Sequence, residues 1–387
     1  MAFAIGAMAI SLRKTSPNSA RKEAFAKRKL WSKKMNTHLK KAVNALPENM
    51  DALLVTNTRN QRWLTDFNFE DGFILVTRKE SYLLTDSRYI EAAENEAKGI
   101  TVLQMTGKRS EMFKKLLDAN GAKSVGFEDS WVSVSQYENY KKIFEGYALV
   151  PAGKLLENLR ELKDEEEIER IILAQRIAEK AFDHILGFIS PERTEQEVAL
   201  ELEFFMRSLG AESTSFPTIA VSGSASALPH GVPRPVKLEK GFFTMDYGCI
   251  YKGYCSDMTR TVVIGKADED MKLLYNTVLK AQTEAEAAIR EGITGAELDK
   301  IARDIIDSTK YKGCFGHSLG HGVGMYIHEA PGVSGGNQNG LQKGHVITIE
   351  PGIYVKGTYG CRIEDMAALR ETGVEILTRC PKELIEL

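Results

Sequence analysis

Two stretches of this 387-residue chain place acids where acids are costly. In FFTMDYGCIYKGYCSDM (242–258) and VITIEPGIYVKGTYGCRIEDM (346–366), four carboxylates sit on apolar, strand-like segments. Both stretches follow one plan: an apolar lead, a Thr two places before an acid, a Gly two places after it, Lys-Gly further on, and a second acid at or next to the position before Met. Asp246 thus corresponds to Glu350 and Asp257 to Glu364. With Lys-Gly at the turn, the paired acids lie on adjoining strands and can face the same way. Unpaired carboxylates buried there would be penalised by tens of kcal/mol in the idealised limit. Two divalent cations would offset them, and oxygen ligands with one imidazole suit manganese, zinc, cobalt or iron. Five of the seven histidines lie between 230 and 345: His230, His317, His321, His328 and His345. His317 and His321 stand four apart, the spacing of a zinc-binding helix. Gly316, Gly320, Gly322 and Gly324 would each cost about 1 kcal/mol inside a helix, so an extended or looped backbone is expected, with His321 as the ligand.

The elements that must hold these residues form an α+β domain with an antiparallel sheet. Extended segments are expected over 217–223, 241–264 and 345–369, separated by a helical pair at 268–291 and 294–307. Before them come a long helix in ELKDEEEIERIILAQRIAEKAFDHILGFI, whose apolar residues recur at helical spacing, and a second helix in TEQEVALELEFFMRSLG, stopped by Gly210. Ahead of these, short β-rich runs (DALLVT, GFILVT, SYLLTD, ITVLQM, KSVGFE) alternate with helical ones (RYIEAAENEA, MFKKLLDA) and read as a small α/β domain. Pro151 and Gly153 punctuate the change of texture. The expected division is 1–34, 35–155 and 156–387.

Residues 1–34 carry nine Lys or Arg against one acid, Glu23, leaving the remainder near −10. They read as a basic extension, and their acid-poor composition also resembles an organelle transit peptide. The apolar run 1–10 is too short to span a bilayer, and its charges follow it rather than precede it. A net charge of −2 and 27% charged residues describe a soluble globular protein rather than a nucleic-acid binder. The five cysteines are scattered without C-x-x-C spacing, which points to neither a disulfide framework nor a zinc knuckle and fits a reducing cytoplasm.

The motifs LPHG at His230, MDYG at Asp246, SDMTRT at Asp257, GHSLGHGVG at His321, HEAP at His328, TIEPGIY at Glu350 and RIED at Glu364 together resemble the pita-bread metallopeptidases. Within them, the chain looks like the proline-specific branch of Xaa-Pro aminopeptidases and prolidases. The resemblance covers the whole second domain with its ligands in order. The first domain looks, more weakly, like the creatinase-type amino-terminal domain of that branch.

The resemblance implies that Asp246 chelates one metal, that His321 and Glu350 bind the other, and that Asp257 and Glu364 bridge both. Two such metals lower the pKa of a shared water from about 15.7 to about 7. Glu350 would collect and relay the proton, and His230 and His328 would hydrogen-bond the substrate and the developing oxyanion. His317, Tyr354 and Arg362 would line the site, with Arg362 pairing a ligand carboxylate. Mn2+ is the first expectation for the metal. Short proline-containing peptides are the expected substrates of a cytoplasmic homodimer with no nucleic-acid or membrane partner. Aminopeptidase is the leading expectation and dipeptidase the alternative.

Other readings fare less well. A catalytically inactive binding module on this fold would lack ligands, a creatinase-like hydrolase would dispense with the carboxylates, and a methionine aminopeptidase would typically lack residues 35–155. His345 reads as structural, and Cys249, Cys255 and Cys361 as small buried fillers.

Overall fold

A computed structural model describes residues 35–387; the basic extension expected at 1–34 lies outside the described residues. The chain forms two compact units, the first ending at Leu156 and the second beginning at Glu157.

The first unit is built on a mixed six-stranded sheet in the order Thr101–Gln104, Tyr82–Thr85, Gly72–Thr77, Ala52–Val55, Ser124–Phe127, Ala148–Pro151. Helices Ile90–Glu96 and Arg109–Asn120 occupy the expected stretches, and Phe113 and Leu117 pack with Leu54, Leu75, Leu84 and Val125 in the core. Helices Thr37–Ala45, Thr58–Thr65 and Val134–Ile143 were not anticipated. The last opens on a Ser133–Gln136 capping box but buries only Tyr140, so its apolar periodicity is weak.

In the second unit the repeat extends well beyond the acids. Two long helices, Glu165–Phe188 and Glu269–Ala287, are each followed by a shorter one, Glu195–Ser208 and Gly295–Asp307. The shorter helices open on matching capping boxes, Thr194 with Glu197 and Thr294 with Glu297. Each half then carries three strands in the same order, forming the whole sheet in the first half and the centre of a five-stranded sheet in the second. In the first, Ile219–Ser222 pairs with Gly241–Tyr247, which pairs with Met258–Ile264. In the second, Gly320–Gly322 pairs with Val346–Ile349, which pairs with Asp365–Arg370.

Inside each long hairpin lies a smaller one. Tyr251 pairs with Tyr254 across Lys252 and Gly253, both at positive φ as a two-residue hairpin turn requires. Val355 pairs with Tyr359 in the other. No helix among the described residues is long and apolar enough to cross a membrane.

The registers carry the acids to one face. Asp246 is opposite Thr259, two residues along from Asp257, so the two acids share a face. Glu350 and Glu364 fall opposite each other between the pairs Ile349–Asp365 and Gly352–Arg362. The hairpins are joined directly: Glu364 N donates to Thr259 O (3.2 Å), and the Thr261 hydroxyl donates to Arg362 O (2.9 Å).

Candidate metal centre

The four acids and His321 converge in a cleft of about 640 Å³. Ligand atoms of Asp257, His321 and Glu364 lie within 4.8 Å of one another, and His321 Nε2 is 3.3 Å from Glu350 Oε1 and 3.5 Å from Asp257 Oδ2. Asp246 joins them from the neighbouring strand. His230, His317, His328 and Arg362 also line the cleft, while Tyr354 stands behind His317 and Arg362.

His321 is extended, in the strand Gly320–Gly322, rather than helical. The flanking glycines are required by the packing: a Cβ at Gly320 would lie 2.1 Å from Thr348 O, and one at Gly322 2.3 Å from Ala330 O. His321 Nδ1 faces the Gly322 carbonyl at 3.1 Å, and a carbonyl can only accept, so Nδ1 carries the proton. Burial, then the neighbouring His328, pushes the imidazole pKa down to about 4. The ring is therefore neutral near pH 7 and presents the Nε2 lone pair to Asp257 and Glu350, the state a metal ligand needs.

The carboxylates are strongly perturbed. Burial, reinforced by Asp246 and Glu350, pushes Asp257 well up; burial, reinforced by Asp257, Glu350 and Asp246, does the same to Glu364. Glu350 is raised to about 8 by burial, with Arg362 opposing and Asp246 adding. Asp246 Oδ1 and Glu364 Oε1 are buried without a hydrogen-bond partner. Buried polar atoms are rarely left unpaired. Orphan oxygens, crowded acids and one aimed imidazole nitrogen together fit hard divalent cations.

Arg362 organises the wall behind the acids. Its Nη2 donates to Asp246 Oδ2 (2.6 Å), its Nε to the Thr259 hydroxyl (3.0 Å), and its Nη1 to Tyr354 OH (2.7 Å) and Pro229 O (3.2 Å). The Thr259 hydroxyl donates in turn to Glu364 Oε2 (2.7 Å), so one guanidinium orients acids of both hairpins.

His317 Nδ1 donates to Ser318 O (2.8 Å), which leaves Nε2 to accept from the Tyr354 hydroxyl at 3.0 Å. Burial and Arg362 lower the His317 pKa to about 4, consistent with that neutral tautomer. The segment bearing His317 is pinned by Asp299, which accepts from Leu319 N (3.1 Å), and by Arg303, which donates to His317 O (2.9 Å).

His328 is exposed to the cleft, its ring edge-on to His321 at 4.3 Å. The next residue, Glu329, is held by Arg160 (2.6 Å) and Lys163 (2.8 Å). The Thr348 hydroxyl accepts from His321 N and donates to Glu350 Oε1, both at 3.1 Å. Thr259, Thr348, Asp299 and Glu329 were not singled out in the sequence, although Thr259 sits inside SDMTRT and Thr348 is the repeat's Thr. His345 is buried away from the cleft and accepts from Gln342 N. Cys249, Cys255 and Cys361 are buried free thiols.

Comparison with known proteins gives two family matches. Residues 169–371 match metallopeptidase family M24, and residues 38–162 match the creatinase/prolidase N-terminal domain. An Xaa-Pro dipeptidase of Pyrococcus horikoshii is 38% identical over 354 residues, 91% of this chain and 99% of that protein. Among solved structures, an Xaa-Pro dipeptidase from Bacillus anthracis superposes with a TM-score of 0.86 at 41% identity, covering 90% of this chain and 99% of that one. An X-Pro aminopeptidase from Thermotoga maritima gives 0.84 at 36% identity, covering 87% and 98%.

Proposed function

The chain belongs to metallopeptidase family M24, with a creatinase-type amino-terminal domain and the pita-bread fold, and from that premise we propose that it hydrolyses the Xaa-Pro bond at the amino terminus of short peptides. In this reading Asp246 would hold one divalent cation and His321 and Glu350 a second, with Asp257 and Glu364 shared between the two, and Mn2+ would be first among candidate metals. When bound, the cations supply charge to offset the four acids and activate water at neutral pH. The observation that carries the proposal is the crowding of four carboxylates beside a neutral His321 Nε2, with Asp257 and Glu350 facing that nitrogen and Asp246 Oδ1 and Glu364 Oε1 buried without a partner.

The chain's own groups do the rest. Glu350, steadied by Thr348, takes a proton from the nucleophile and returns it to the leaving amine. His230 and His328, at the cleft surface, donate to the scissile carbonyl and the developing oxyanion, each contact contributing about 3 kcal/mol. Phe216, Pro217, Ile219, Val232 and Ile327 give the cleft an apolar wall suited to a proline ring. His317, Tyr354 and Arg362 keep the ligands oriented. Arg362→Lys, which cannot serve all four acceptors, is expected to weaken metal affinity or kcat/KM by about 10–100-fold, read by Mn2+ titration alongside steady-state kinetics. A parent-like variant would remove Arg362 from the account.

Arg362 also bears on substrate length. Among the described cleft-lining residues it is the one Lys or Arg, and its nitrogens are already committed to Asp246, Thr259, Tyr354 and Pro229. A proline ending in a carboxylate therefore finds no uncommitted Lys or Arg among the described cleft-lining residues to pair with it, whereas one continuing into an amide needs none. This supports aminopeptidase action over the dipeptidase action named for the relative from Bacillus anthracis. The amide Xaa-Pro-NH2 and the acid Xaa-Pro-OH differ in that charge with little change in size. With Mn2+-loaded protein, kcat/KM is expected to favour the amide by about tenfold or more, as roughly 1.4 kcal/mol of differential interaction would give. Preference for the acid would reinstate the dipeptidase, and cleavage of neither would sink the proline reading. The proposal also carries a cytoplasmic homodimer acting on free peptides.

A further inference from the structure

His230 lines the cleft on a loop, and among the described residues its ring makes no hydrogen bond, so its position depends on how the loop backbone is held. One end of that loop is fixed by Arg362 through Pro229 O. The other end is fixed by Glu195, the first residue of the helix Glu195–Ser208 and fully buried.

Glu195 is not needed to cap its helix, because Thr194 and Glu197 do that. Its carboxylate turns away to collect five hydrogen bonds: from Ser222 N (2.7 Å), the Ser222 hydroxyl (2.8 Å), and Arg234 N (2.9 Å), Nε (2.9 Å) and Nη2 (2.6 Å). Burial alone would raise its pKa, yet the bonds from Arg234 and Ser222 hold it below the ordinary glutamate value.

Ser222 closes the strand Ile219–Ser222, whose Ile219 is paired with Asp246. Glu195 therefore ties the His230 loop to the strand system that carries a metal-ligand candidate. Only the Glu195 end of the pair is buried, the Arg234 side chain being 35% exposed, so the pair is weak evidence for stability. What the pair provides is a fixed geometry.

We propose that the Glu195–Arg234 pair is a positioning device that sets His230 at its working distance from the metal centre. The proposal rests on the peptidase reading of the site. The test is a double-mutant cycle on Xaa-Pro-Yaa hydrolysis with metal-loaded protein, using E195Q/R234M so that Glu195 is not left as a lone buried charge. On the parent background kcat/KM is expected to fall by about 10–100-fold, the cost of misplacing a group by about an ångström. Bound metal per chain is expected to stay unchanged. On the His230→Ala background the same pair of changes should cost no more than about twofold, because there is nothing left to position. R234K, which retains charge but not the bidentate fork, should fall in between. Equal losses on both backgrounds would mean a merely structural role, and parent-like kinetics with H230A impaired would refute the anchor alone. A metal-loaded parent inactive on every Xaa-Pro peptide, or a fully active H230A, would refute the reading of the site itself.

Discussion

Asp257→Ala or Glu364→Ala is expected to abolish Xaa-Pro hydrolysis, with a loss on the order of 10⁴-fold or more, because each change removes an oxygen pair assigned to both cations and with it the activation of water. Asp257 faces His321 Nε2 at 3.5 Å, and Glu364 is the acid that Thr259 links to Arg362. Neither effect should come from unfolding. In the metal-free state each substitution relieves repulsion among buried acids, so the thermal midpoint without metal should match or exceed that of the parent. Elemental analysis should then find fewer than two cations per chain. An Asp257→Ala protein that is active and holds two cations would refute the bridging assignment.

Metal and pH should act on stability in opposite senses. Glu350 is raised to about 8 in the folded, metal-free protein against an ordinary 4.5, and Asp257 and Glu364 are raised in the same direction. A carboxyl group whose folded pKa lies above its unfolded value holds a proton in the native state that the unfolded chain has released. Native stability is therefore fully present below the unfolded pKa and is lost as pH rises through the folded one. His317, His321 and His345, each lowered to about 4 chiefly by burial, act in the opposite sense below their ordinary 6.5, so the carboxyl contribution is read against Glu350→Gln: from pH 5 to pH 8 the metal-free parent is expected to lose midpoint relative to that variant.

Divalent cations bind the deprotonated site, so the stabilisation they add should grow over the same interval. At 100 times the dissociation constant each contributes about 2.7 kcal/mol, and the two together should raise the midpoint at pH 8 by roughly 10–20 °C. Calorimetry with and without Mn2+ across pH 5–8 reads both trends. A metal-free parent whose midpoint rises relative to Glu350→Gln from pH 5 to pH 8 would contradict the crowding of the acids.

The five ligand candidates were legible in the sequence because a buried acid on an apolar strand is expensive enough to demand a reason, and because the same arrangement occurs twice. The extended conformation at His321 was equally legible, since Gly320 and Gly322 would weaken a helix. The wall that orients them was much less so. That Arg362 pairs a ligand carboxylate was expected, and Asp246 is that acid, but nothing local in RIED announces its further partners Thr259, Tyr354 and Pro229 on other segments.

Glu195 reads in the sequence as one more helix-start acid beside Glu197, yet one is fully buried and the other exposed. Only the fold separates them. The full extent of the repeat was partly visible: the caps Thr194-x-x-Glu197 and Thr294-x-x-Glu297 stand in the sequence, but only matching sheet orders show that the two halves repeat beyond the acids. The helix Thr58–Thr65 was missed because its burial includes Asn60, Gln61 and Thr65, so its inward face is largely polar.

That duplication also accounts for the shape of the site. Each half contributes one long hairpin with two acids, and the hairpins meet where Thr259 and Thr261 bond to residues 362–364. His321 enters from the strand beside the second hairpin, and Thr348 links its backbone to Glu350.

A single titration bears on this arrangement most directly. Chelator-treated protein is reconstituted with Mn2+ while bound metal per chain and hydrolysis of an Xaa-Pro-Yaa peptide are followed together. No hydrolysis is expected without metal, and full activity is expected on reaching two cations per chain. Undiminished hydrolysis by metal-free protein, or a chain that binds no divalent cation at saturation, would contradict it.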